Sequence, residues 1–451
     1  MAETVHAENA SEEAVQTPQH DRAAITAKAR ELYRGLSLAP MVRASTTPLR
    51  ALALNYGADF VYTEELVDRA IIETIRVANK EMGTIDYIKD PAKLSKKAKK
   101  KLEAQNNRPC LIMRIDPTLE ANKLVCQLGT GEPELALKAA KHVCRDVSAI
   151  DVNMGCPKKF SVSGGMGSAL LSDPERAVKI IATLKREIML PISCKIRLLK
   201  DVEETVAFIE KMLEAGADAL AIHARRVGHD ATRKADWQTL QEVMAVVQPK
   251  YPNFPFLING DFYDRQERNE IMKNTNAQGI LLARPALYNM STFLPIGQPL
   301  VDKTRLVQEY LRLVIRYDMH YKNTKYILCE MMSNRRTPVE RVPTMPIQFP
   351  GGQTIGNTCD CHDLESLCRL WNVNYSDTLK SVRDTTASSL SGGTTSMPAG
   401  EHKYEDSYFL NGTADRVVVE LKDVDESTAE TCRLICTDEP NPKRAKVENG
   451  G

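Results

Sequence analysis

Ala149-Ile150-Asp151-Val152-Asn153-Met154-Gly155-Cys156-Pro157 is the stretch that decides the fold of this chain. Its apolar, β-branched first half is typical of a buried strand, and the polar and Cys-Pro positions after it end regular structure. The glycine-rich loop Gly164–Gly167 follows, and Ser172–Glu175 (SDPE) opens a helix with proline near its first position. Taken alone, one cysteine in such a loop fits a small buried side chain better than a nucleophile or an acid. The rest of the chain must therefore supply the function.

Length and composition are those of a soluble protein with more than one unit. The 451 residues suffice for one domain of about 250 residues, a second unit and tails. Hydrophobic residues make up 43% of the chain, and no apolar run approaches the roughly 20 residues of a membrane span. The acidic N-terminus lacks the apolar segment of a secretory signal, and the 11 scattered cysteines are typical of reduced thiols. We therefore expect a cytoplasmic protein that also enters the nucleus if its basic C-terminus acts as a signal.

Short apolar runs recur along the chain, each followed by a turn and an amphipathic helical segment. Strands that alternate with helices predict a parallel sheet, and eight such units over about 250 residues predict an α/β fold of the (β/α)8 TIM-barrel type. We assign the barrel to residues 33–296. The Arg108–Ile115 run is interpreted as an added hairpin or loop element. The predicted strands are Leu36–Ala39, Phe60–Tyr62, Leu124–Leu128, Ala149–Asn153, Ile192–Ile196, Ala219–His223, Phe256–Asn259 and Ile280–Ala283.

Several predicted strands end in a polar group that can take part in chemistry. In a barrel these ends meet at the C-terminal face, where active sites lie and where the last two loops bind phosphate. No dinucleotide fingerprint or P-loop occurs in a proper context, so a phosphorylated cofactor such as FMN across the barrel mouth is the simplest inference. The polar ends are Gln127, Asn153, Lys195, Arg197, His223, Asn259 and Arg284.

The chain changes character after the barrel. Residues 304–332 have the periodicity of one long helix, and we expect a helical domain over residues 297–336. Residues 337–362 are rich in Pro, Gly and Thr and are predicted to form a linker to a small α+β C-terminal region. The cysteines and histidine between 359 and 368 match no usual zinc spacing, so no metal site is expected.

The two ends of the chain are predicted to be tails. Residues 1–32 are expected to be disordered because their first part is polar, and residues 437–451 form a basic, flexible tail. Pro442–Lys446 (PKRAK) in this tail fits a nuclear localisation signal as well as an ordinary soluble end.

Several motifs together resemble those of the flavin-dependent tRNA-dihydrouridine synthases. The resemblance covers roughly residues 33–332 in order and spacing, and His320–Tyr326 further resembles the eukaryotic branch that acts on position 20 of cytoplasmic tRNA. The motifs are Ala39–Met41 (APM), Tyr62–Glu64 (YTE), Gln127–Gly129 (QLG), Asp151–Pro157 (DVNMGCP), Gly164–Leu171 (GGMGSALL), Lys195–Arg197 (KIR), His223–Arg225 (HAR), Asn259–Asp261 (NGD) and Ala283–Arg284.

The resemblance implies an FMN enzyme that reduces a uracil base with NADPH as electron source. Cys156 would be the general acid that protonates C5 of the uracil, while hydride from the flavin goes to C6. A thiol suits that task because its ordinary pKa of about 8.5 leaves it mostly protonated near neutrality. The residues implied at the flavin are Pro40, Met41, Gln127, Lys195, His223, Asn259, Gly260, Asp261, Ala283 and Arg284, and those implied at the substrate are Asn153, Arg197 and Lys325.

A tRNA partner changes the interpretation of the basic regions. By composition alone, the lysine-rich run Lys93–Lys101 and the basic helical domain are interpreted as solvated surfaces. A uridine extruded from tRNA, however, requires a basic surface around the mouth of the barrel. With tRNA as the partner, both regions are therefore expected to contact RNA. Animal relatives carry a double-stranded-RNA-binding domain after the helical domain. Residues 363–436 have a similar coarse order of elements, but the last predicted helix, Ser427–Cys436, lacks a lysine cluster, so we expect a diverged version. We expect a monomer.

Two alternative functions remain open at this stage. The chain could be an FMN barrel that reduces a free pyrimidine or another small enone, although the basic run and the helical appendage argue against it. It could also be a non-catalytic tRNA-binding relative, which the set of polar strand ends and Cys156 disfavours.

Overall fold

The computed structural model describes residues 19–96, 100, 109–229, 232–333 and 351–391. Its strands along the chain are β1 (Gly35–Leu38), β2 (Phe60–Val67), β3 (Thr74–Asn79), β4 (Thr84–Lys89), β5 (Leu111–Ile115), β6 (Leu124–Gly129), β7 (Ala149–Asn153), β8 (Ile192–Leu198), β9 (Ala219–Arg226), β10 (Phe256–Asn259) and β11 (Gly279–Leu282).

Eight of these strands form a closed parallel barrel, which confirms the predicted fold class. Their order is β1-β11-β10-β9-β8-β7-β6-β2, and β2 pairs with β1 to close the ring. Each of the eight predicted runs overlaps one barrel strand. Strands such as β7 and β10 are buried along their whole length because the barrel interior covers one face and the outer helices cover the other.

Helices surround and extend this barrel. They are α1 (Gln19–Leu32), α2 (Thr47–Asn55), α3 (Asp68–Ile72), α4 (Pro133–Val143), α5 (Lys159–Ser163), α6 (Pro174–Glu187), α7 (Val202–Glu214), α8 (Trp237–Lys250), α9 (Arg265–Thr275), α10 (Arg284–Tyr288), α11 (Lys303–Arg316), α12 (Tyr321–Met332), α13 (Ile355–Asp360), α14 (Leu364–Leu370) and α15 (Tyr375–Ser391). Within the ranges described above, no helix is both long and apolar enough to cross a membrane.

The prediction of a disordered tail over residues 1–32 is wrong for its second part. Residues 19–32 form α1, which closes the N-terminal end of the barrel with one apolar face. Ala29 and Leu32 pack there with the interior residues of the barrel strands. Arg22 donates to the backbone carbonyls that precede β8, with an N–O distance of 2.9 Å to Arg186 and 3.2 Å to Ile188. Residues 1–18 lie outside the described part of the chain.

An insertion between the second and third barrel strands forms a small antiparallel sheet. Its order is β3-β4-β5, so the part of the predicted added element that the structure describes is an edge strand. Arg114 on β5 forms a buried ion pair with Asp86 at 2.6 Å and donates to the carbonyl of Tyr317, which links the insertion to the helices after the barrel.

The single long helix predicted over residues 304–332 is wrong. The chain leaves α11 at Tyr317, and Asp318 adopts a left-handed conformation with φ of 42°, which ends the helix. The His320 side chain then accepts a hydrogen bond from the backbone of Lys322 at 3.1 Å and caps the start of α12. The result is a pair of helices in place of one.

The linker predicted over residues 337–362 is wrong in its last part, because residues 355–360 form α13. Helices α14 and α15 follow it, and the diverged RNA-binding domain proposed over residues 363–436 stays a prediction, since the structure describes this region only up to residue 391. Leu367 and Trp371 are buried in the same apolar core as α11 and α12, which explains why these helices join the helical domain. Several predicted features lie outside the described residues: the strands of the C-terminal α+β region, helix Ser427–Cys436, Pro442–Lys446 and part of Lys93–Lys101.

Candidate active site

The polar strand ends predicted from the sequence meet at the C-terminal face of the barrel. Register pairs Asn153 on β7 with Lys195 on β8, and His223 on β9 with both Arg197 on β8 and Asn259 on β10. Parallel strands place such ends side by side. Pro40 and Met41 follow β1, Gln127 lies near the end of β6, Gly260 and Asp261 follow β10, and Ala283 and Arg284 follow β11.

A buried carboxylate beneath this face orients two amide side chains. Asp151 on β7 accepts from the Ser193 hydroxyl at 2.6 Å and from the Gln127 amide nitrogen at 2.8 Å. Gln127 Oε1 in turn accepts from Asn153 Nδ2 at 3.2 Å. Because an ionised carboxylate can only accept, it directs the nitrogen of the Gln127 amide to Asp151 and its oxygen to Asn153. Burial raises the pKa of Asp151 to about 6, opposed by these two hydrogen bonds and by Lys195.

Asn153 positions the loop that carries Cys156. Its Oδ1 accepts from the backbone nitrogens of Gly155 and Cys156 at 2.9 and 3.1 Å. Gly167 packs closely against the Cys156 backbone. A Cβ added at Gly167, which has φ of +60°, would lie 2.6 Å from the carbonyl oxygen of Cys156, so only glycine fits there. The thiol of Cys156 is half-buried, and burial and the Glu65 carboxyl group raise its pKa to about 11.

Lys195 and His223 at the mouth of the barrel differ in charge: Lys195 is a cation that can lose its proton, and His223 is a neutral imidazole. Burial and the neighbouring Arg197 lower the pKa of Lys195 to about 8, while Asp151 and Cys156 oppose that decrease. Burial and the surrounding cations hold the pKa of His223 well below its ordinary value. His223 is therefore a neutral hydrogen-bonding group at physiological pH, and Lys195 is mostly an ammonium.

Arg197 connects two loops of the mouth. Its Nε donates to the carbonyl of Gly155 at 2.7 Å and one terminal nitrogen donates to the carbonyl of Arg226 at 3.2 Å. The side chain predicted to bind substrate thus also holds the Cys156 loop against the loop after β9.

Two of the residues predicted at the flavin, Asp261 and Arg284, form a cluster with Arg225, which the sequence did not predict. Asp261 contacts Arg225 and Arg284, each at 2.5 Å, and accepts from the Ala235 backbone nitrogen at 2.8 Å. A carboxylate repels a phosphate, so in this arrangement Asp261 orients the two guanidinium groups, which are the groups suited to hold one. Asn259 Nδ2 donates to the carbonyl of Leu281 at 2.8 Å and fixes the end of β10 against β11.

The loop after β1 is held by a serine that the sequence did not suggest. Ser45 Oγ accepts from the Met41 backbone nitrogen at 3.1 Å and donates to the Ala39 carbonyl at 2.8 Å. These bonds fix the backbone around Pro40 and Met41 at the rim.

Lys325 has a structural role that the sequence did not predict. Its ammonium group donates to the carbonyls of Cys359 and Cys361, both at 2.7 Å, and so holds the end of α13 against α12. Its contact with substrate stays a prediction. Within the residues that the structure describes, no group of three or more His, Cys, Asp or Glu side chains could hold a metal ion.

Sequence reasoning assigned no role to Asp151, Arg225 or Glu65. Asp151 and Arg225 both lie inside the quoted motifs. The available signal for Asp151 was an acidic residue within an apolar strand, and that for Arg225 was a basic residue close to the histidine at the end of a strand. Glu65 lies in β2 directly after the YTE motif, and only the folded chain brings it to Ser161 and Cys156.

The closed parallel barrel and a site built from its C-terminal strand ends define a (β/α)8-barrel protein. The family model described as dihydrouridine synthase (Dus) matches residues 37–335, and the chain belongs to that family. The resemblance drawn from the motifs is thereby confirmed.

Named relatives agree with this assignment. A Schizosaccharomyces pombe protein called tRNA-dihydrouridine(20) synthase NAD(P)+ is 38% identical over 302 residues, which cover 65% of this chain and 59% of that protein. Its Saccharomyces cerevisiae namesake is 33% identical over 315 residues, covering 67% of this chain and 78% of that protein. A tRNA-dihydrouridine(16/17) synthase of S. pombe is 30% identical over 290 residues, covering 62% of this chain and 64% of that protein. The chain thus spans less than two thirds of the length of the first and third of these proteins.

Proposed function

We propose that this protein is an FMN-dependent tRNA-dihydrouridine synthase that reduces the C5–C6 bond of a uridine in the tRNA D-loop, at position 20, with NADPH. The observation that carries the proposal is the Cys156 thiol on a loop that Asn153 fixes at the mouth of the barrel, at the end of the strand that pairs with Lys195. Burial and Glu65 raise the pKa of this thiol to about 11. The position follows from the names of two yeast relatives.

The residues at the mouth fit FMN by the chemistry of their donors. The amides of Gln127 and Asn153, the Lys195 ammonium and the neutral His223 ring match the carbonyls and ring nitrogens of a flavin, and the arginines on Asp261 match its phosphate. When bound, FMN would supply hydride to C6 of the uracil after taking it from NADPH.

Cys156 supplies the proton that completes the reduction. As C6 gains hydride, the Cys156 S–H bond breaks and a C–H bond forms at C5, which leaves a thiolate to be reprotonated. A general acid must carry its proton at the working pH, and a thiol with a pKa of about 11 does so.

Lys195 and His223 stabilise the reacting groups in different ways. The Lys195 ammonium offsets negative charge that develops on a uracil carbonyl or on the flavin ring. His223 is uncharged, because its pKa lies well below 6.5, and it can hydrogen-bond without attracting a second anion.

The rim of the mouth suits an RNA. Lys158 and Lys159 are exposed just after Cys156 and Pro157, and Arg197 donates to the carbonyl of Arg226 on the neighbouring strand. A uridine in a folded tRNA must be extruded to reach a buried site, and cations around the opening hold the backbone on either side.

The test compares wild type with Cys156→Ala on tRNA that lacks dihydrouridine. We expect wild type with FMN and NADPH to reduce one mapped uridine, and the variant to bind flavin and oxidise NADPH but to form dihydrouridine at least ~100-fold more slowly. Equal rates would make Cys156 structural. A flavin-loaded wild type that reduces free uracil in preference to tRNA would favour the small-enone alternative, and one that reduces neither would overturn the substrate assignment.

A further inference from the structure

Glu65 is placed beside Cys156 by an irregularity in β2. The register between β2 and β6 shifts between Tyr62 and Glu65, so that Glu65 lies opposite Gln127. The Gln127 backbone nitrogen bonds the Thr63 hydroxyl at 3.0 Å within this irregularity. Such a bulge re-aims side chains at a strand end. Here it accompanies a carboxyl group on the end of β2, where only 8% of Glu65 is exposed.

The residues around the Glu65 carboxyl group accommodate it closely. Ser161 Oγ donates to Glu65 Oε1 at 3.3 Å. A Cβ added at Gly129 would lie 2.8 Å from the same oxygen, so the glycine leaves the space that Glu65 fills. Oε2 is buried and, among the residues that the structure describes, has no hydrogen bond of good geometry. A buried oxygen of this kind is costly and calls for an explanation. Ser161, which bonds the other oxygen, and Cys156 both border Gly167, because a Cβ added there would collide with Ser161 Oγ and lie 3.0 Å from Cys156 Cβ. The Cys156 side chain is therefore next to the hydroxyl that holds Glu65.

The other charged groups around Cys156 favour its thiolate. Lys195 and Arg197 both interact with it from β8, and the Lys158 backbone nitrogen bonds it from its own loop. Cations next to a cysteine ordinarily promote loss of its proton. Glu65 is the acidic group that acts in the opposite direction, together with burial.

We propose that Glu65 acts through Cys156 as a positioning residue that keeps the proton on the thiol in a mouth rich in cations. The role rests on the proposed function, in which Cys156 is the proton donor. This role explains why a carboxyl group is buried at the end of a strand with one oxygen that has no regular hydrogen-bond partner. The negative charge of the carboxylate disfavours a second negative charge on the Cys156 sulfur. Ser161 holds the other oxygen and keeps the group in place.

The test measures the thiol itself and uses no tRNA. Flavin-loaded protein is treated with iodoacetamide at several values between about pH 7 and about pH 10, and alkylation of Cys156 is followed by mass spectrometry of its peptide. Since only the thiolate reacts, the rate rises about tenfold for each unit by which the thiol pKa falls. For Glu65→Gln, which keeps the shape and removes the acid, we expect at least a ~3-fold faster reaction than wild type at each pH of this range.

Two further variants separate this role from simple support of the fold. Ser161→Ala also removes a bond to Glu65, but the Ser161 hydroxyl lowers the pKa of Cys156, so its loss is not expected to speed alkylation. Glu65→Asp, with its carboxyl group one methylene further from the thiol, is expected to fall between wild type and the Gln variant. If the Glu65→Gln variant does not retain flavin, the alkylation rate of Glu65→Asp tests the proposed role of Glu65 in its place.

The proposal is wrong if neither Glu65 variant is alkylated faster than wild type, or if Ser161→Ala is accelerated as much as Glu65→Gln. Dihydrouridine formation by wild type is measured in parallel. If wild type makes none but the order of alkylation rates holds, the proposed function fails and the effect of Glu65 on the thiol stands.

Discussion

Asp151 and Lys195 influence each other beneath the mouth of the barrel. The aspartate raises the pKa of the lysine, while burial and Arg197 lower it to about 8. The lysine in turn lowers the pKa of the aspartate, which burial raises to about 6. Between these two values both groups are charged, and the carboxylate both orients Gln127 and holds the proton on the ammonium.

This balance predicts an alkaline limit to the reaction. The rate of uridine reduction in a single turnover, with flavin reduced beforehand, should fall as the pH rises through about 8 because Lys195 loses its proton. The Cys156 thiol, with a pKa of about 11, does not produce this limit. Asp151→Asn removes the charge that supports the ammonium, so the midpoint should move to lower pH and the rate near neutrality should drop several-fold.

Asp173→Asn is the matched control for this prediction. Asp173 caps α6 by accepting from the Arg176 backbone nitrogen at 3.1 Å, and asparagine caps a helix equally well. The Asp173 carboxylate is half-exposed and lies in the layer of helices outside the barrel, so the pH dependence of the Asp173→Asn variant should stay that of wild type. An unchanged midpoint in Asp151→Asn would assign the alkaline limit to another group.

The element that the sequence concealed is α1. Its buried residues are Ile25, Ala29 and Leu32, which recur at helical spacing among small and polar residues. Ala29 and Leu32 pack against residues of the barrel strands. Thr26 reaches Asp218 at 3.3 Å, just before β9. The helix therefore seals the N-terminal end of the barrel and should contribute to the stability of the whole.

Substitution on the two faces of α1 tests this contribution. Ala29→Asp places a carboxylate at a fully buried position and should lower the free energy of unfolding by about 3 kcal/mol or more. Ala27→Asp makes the same change on the exposed face two residues earlier and should cost less than about 0.5 kcal/mol. Urea unfolding followed by circular dichroism measures both. Equal midpoints would show that α1 is not docked on the barrel in solution.

The barrel could be predicted from the sequence because its strands are buried on both faces. Runs such as Ala149–Asn153 and Phe256–Asn259 are continuous and apolar, and a polar residue ends each of them at the same face. The candidate site follows from that pattern, since the positions of Gln127, Asn153 and Lys195 are fixed by strand order alone.

The remaining features depend on tertiary contacts that local composition does not encode. Residues 355–360 lie in a stretch of linker-like composition, yet they form a helix, which a capping box of Thr354 and Asn357 begins and which Lys325 holds at its carbonyl end. The break after α11 depends on one left-handed residue, Asp318. Glu65 reaches Cys156 through a register shift in β2, which no period in the sequence reveals.

At the scale of the molecule, the barrel and the helices after it share one core. Tyr56, at the end of α2, donates to Glu309 on α11 at 2.6 Å. The Lys303 ammonium lies 3.4 Å from the centre of the Tyr288 ring and donates to the Met331 carbonyl at 3.2 Å. Trp371 belongs to the same buried apolar cluster as the barrel strands. A continuous core of this kind predicts that the two parts unfold together.

Truncation of Trp371 tests that cooperativity. The chain has two tryptophans, so after replacement of Trp371 the fluorescence of Trp237, which stacks on Phe262 in the barrel, reports the barrel alone. Relative to Trp371→Phe, which keeps an aromatic ring, Trp371→Ala should lower stability by about 3 kcal/mol because it opens a cavity in the shared apolar core. The Trp237 transition in urea should shift to lower concentration together with the circular dichroism transition.

Arg369→Ala, made in the Trp371→Phe background, supplies the control. Arg369 is largely exposed and pairs with Glu365 on the surface at 3.2 Å, a contact worth less than about 1 kcal/mol, so both transitions should stay in place. If Trp371→Ala instead moved only the circular dichroism signal and left the Trp237 transition unchanged, the helical domain would unfold by itself. The shared core would then join two units that fold independently, and truncation of the helical domain would leave an intact barrel. Coincident shifts mean that damage to the helical domain lowers the stability of the barrel, without any change at the mouth.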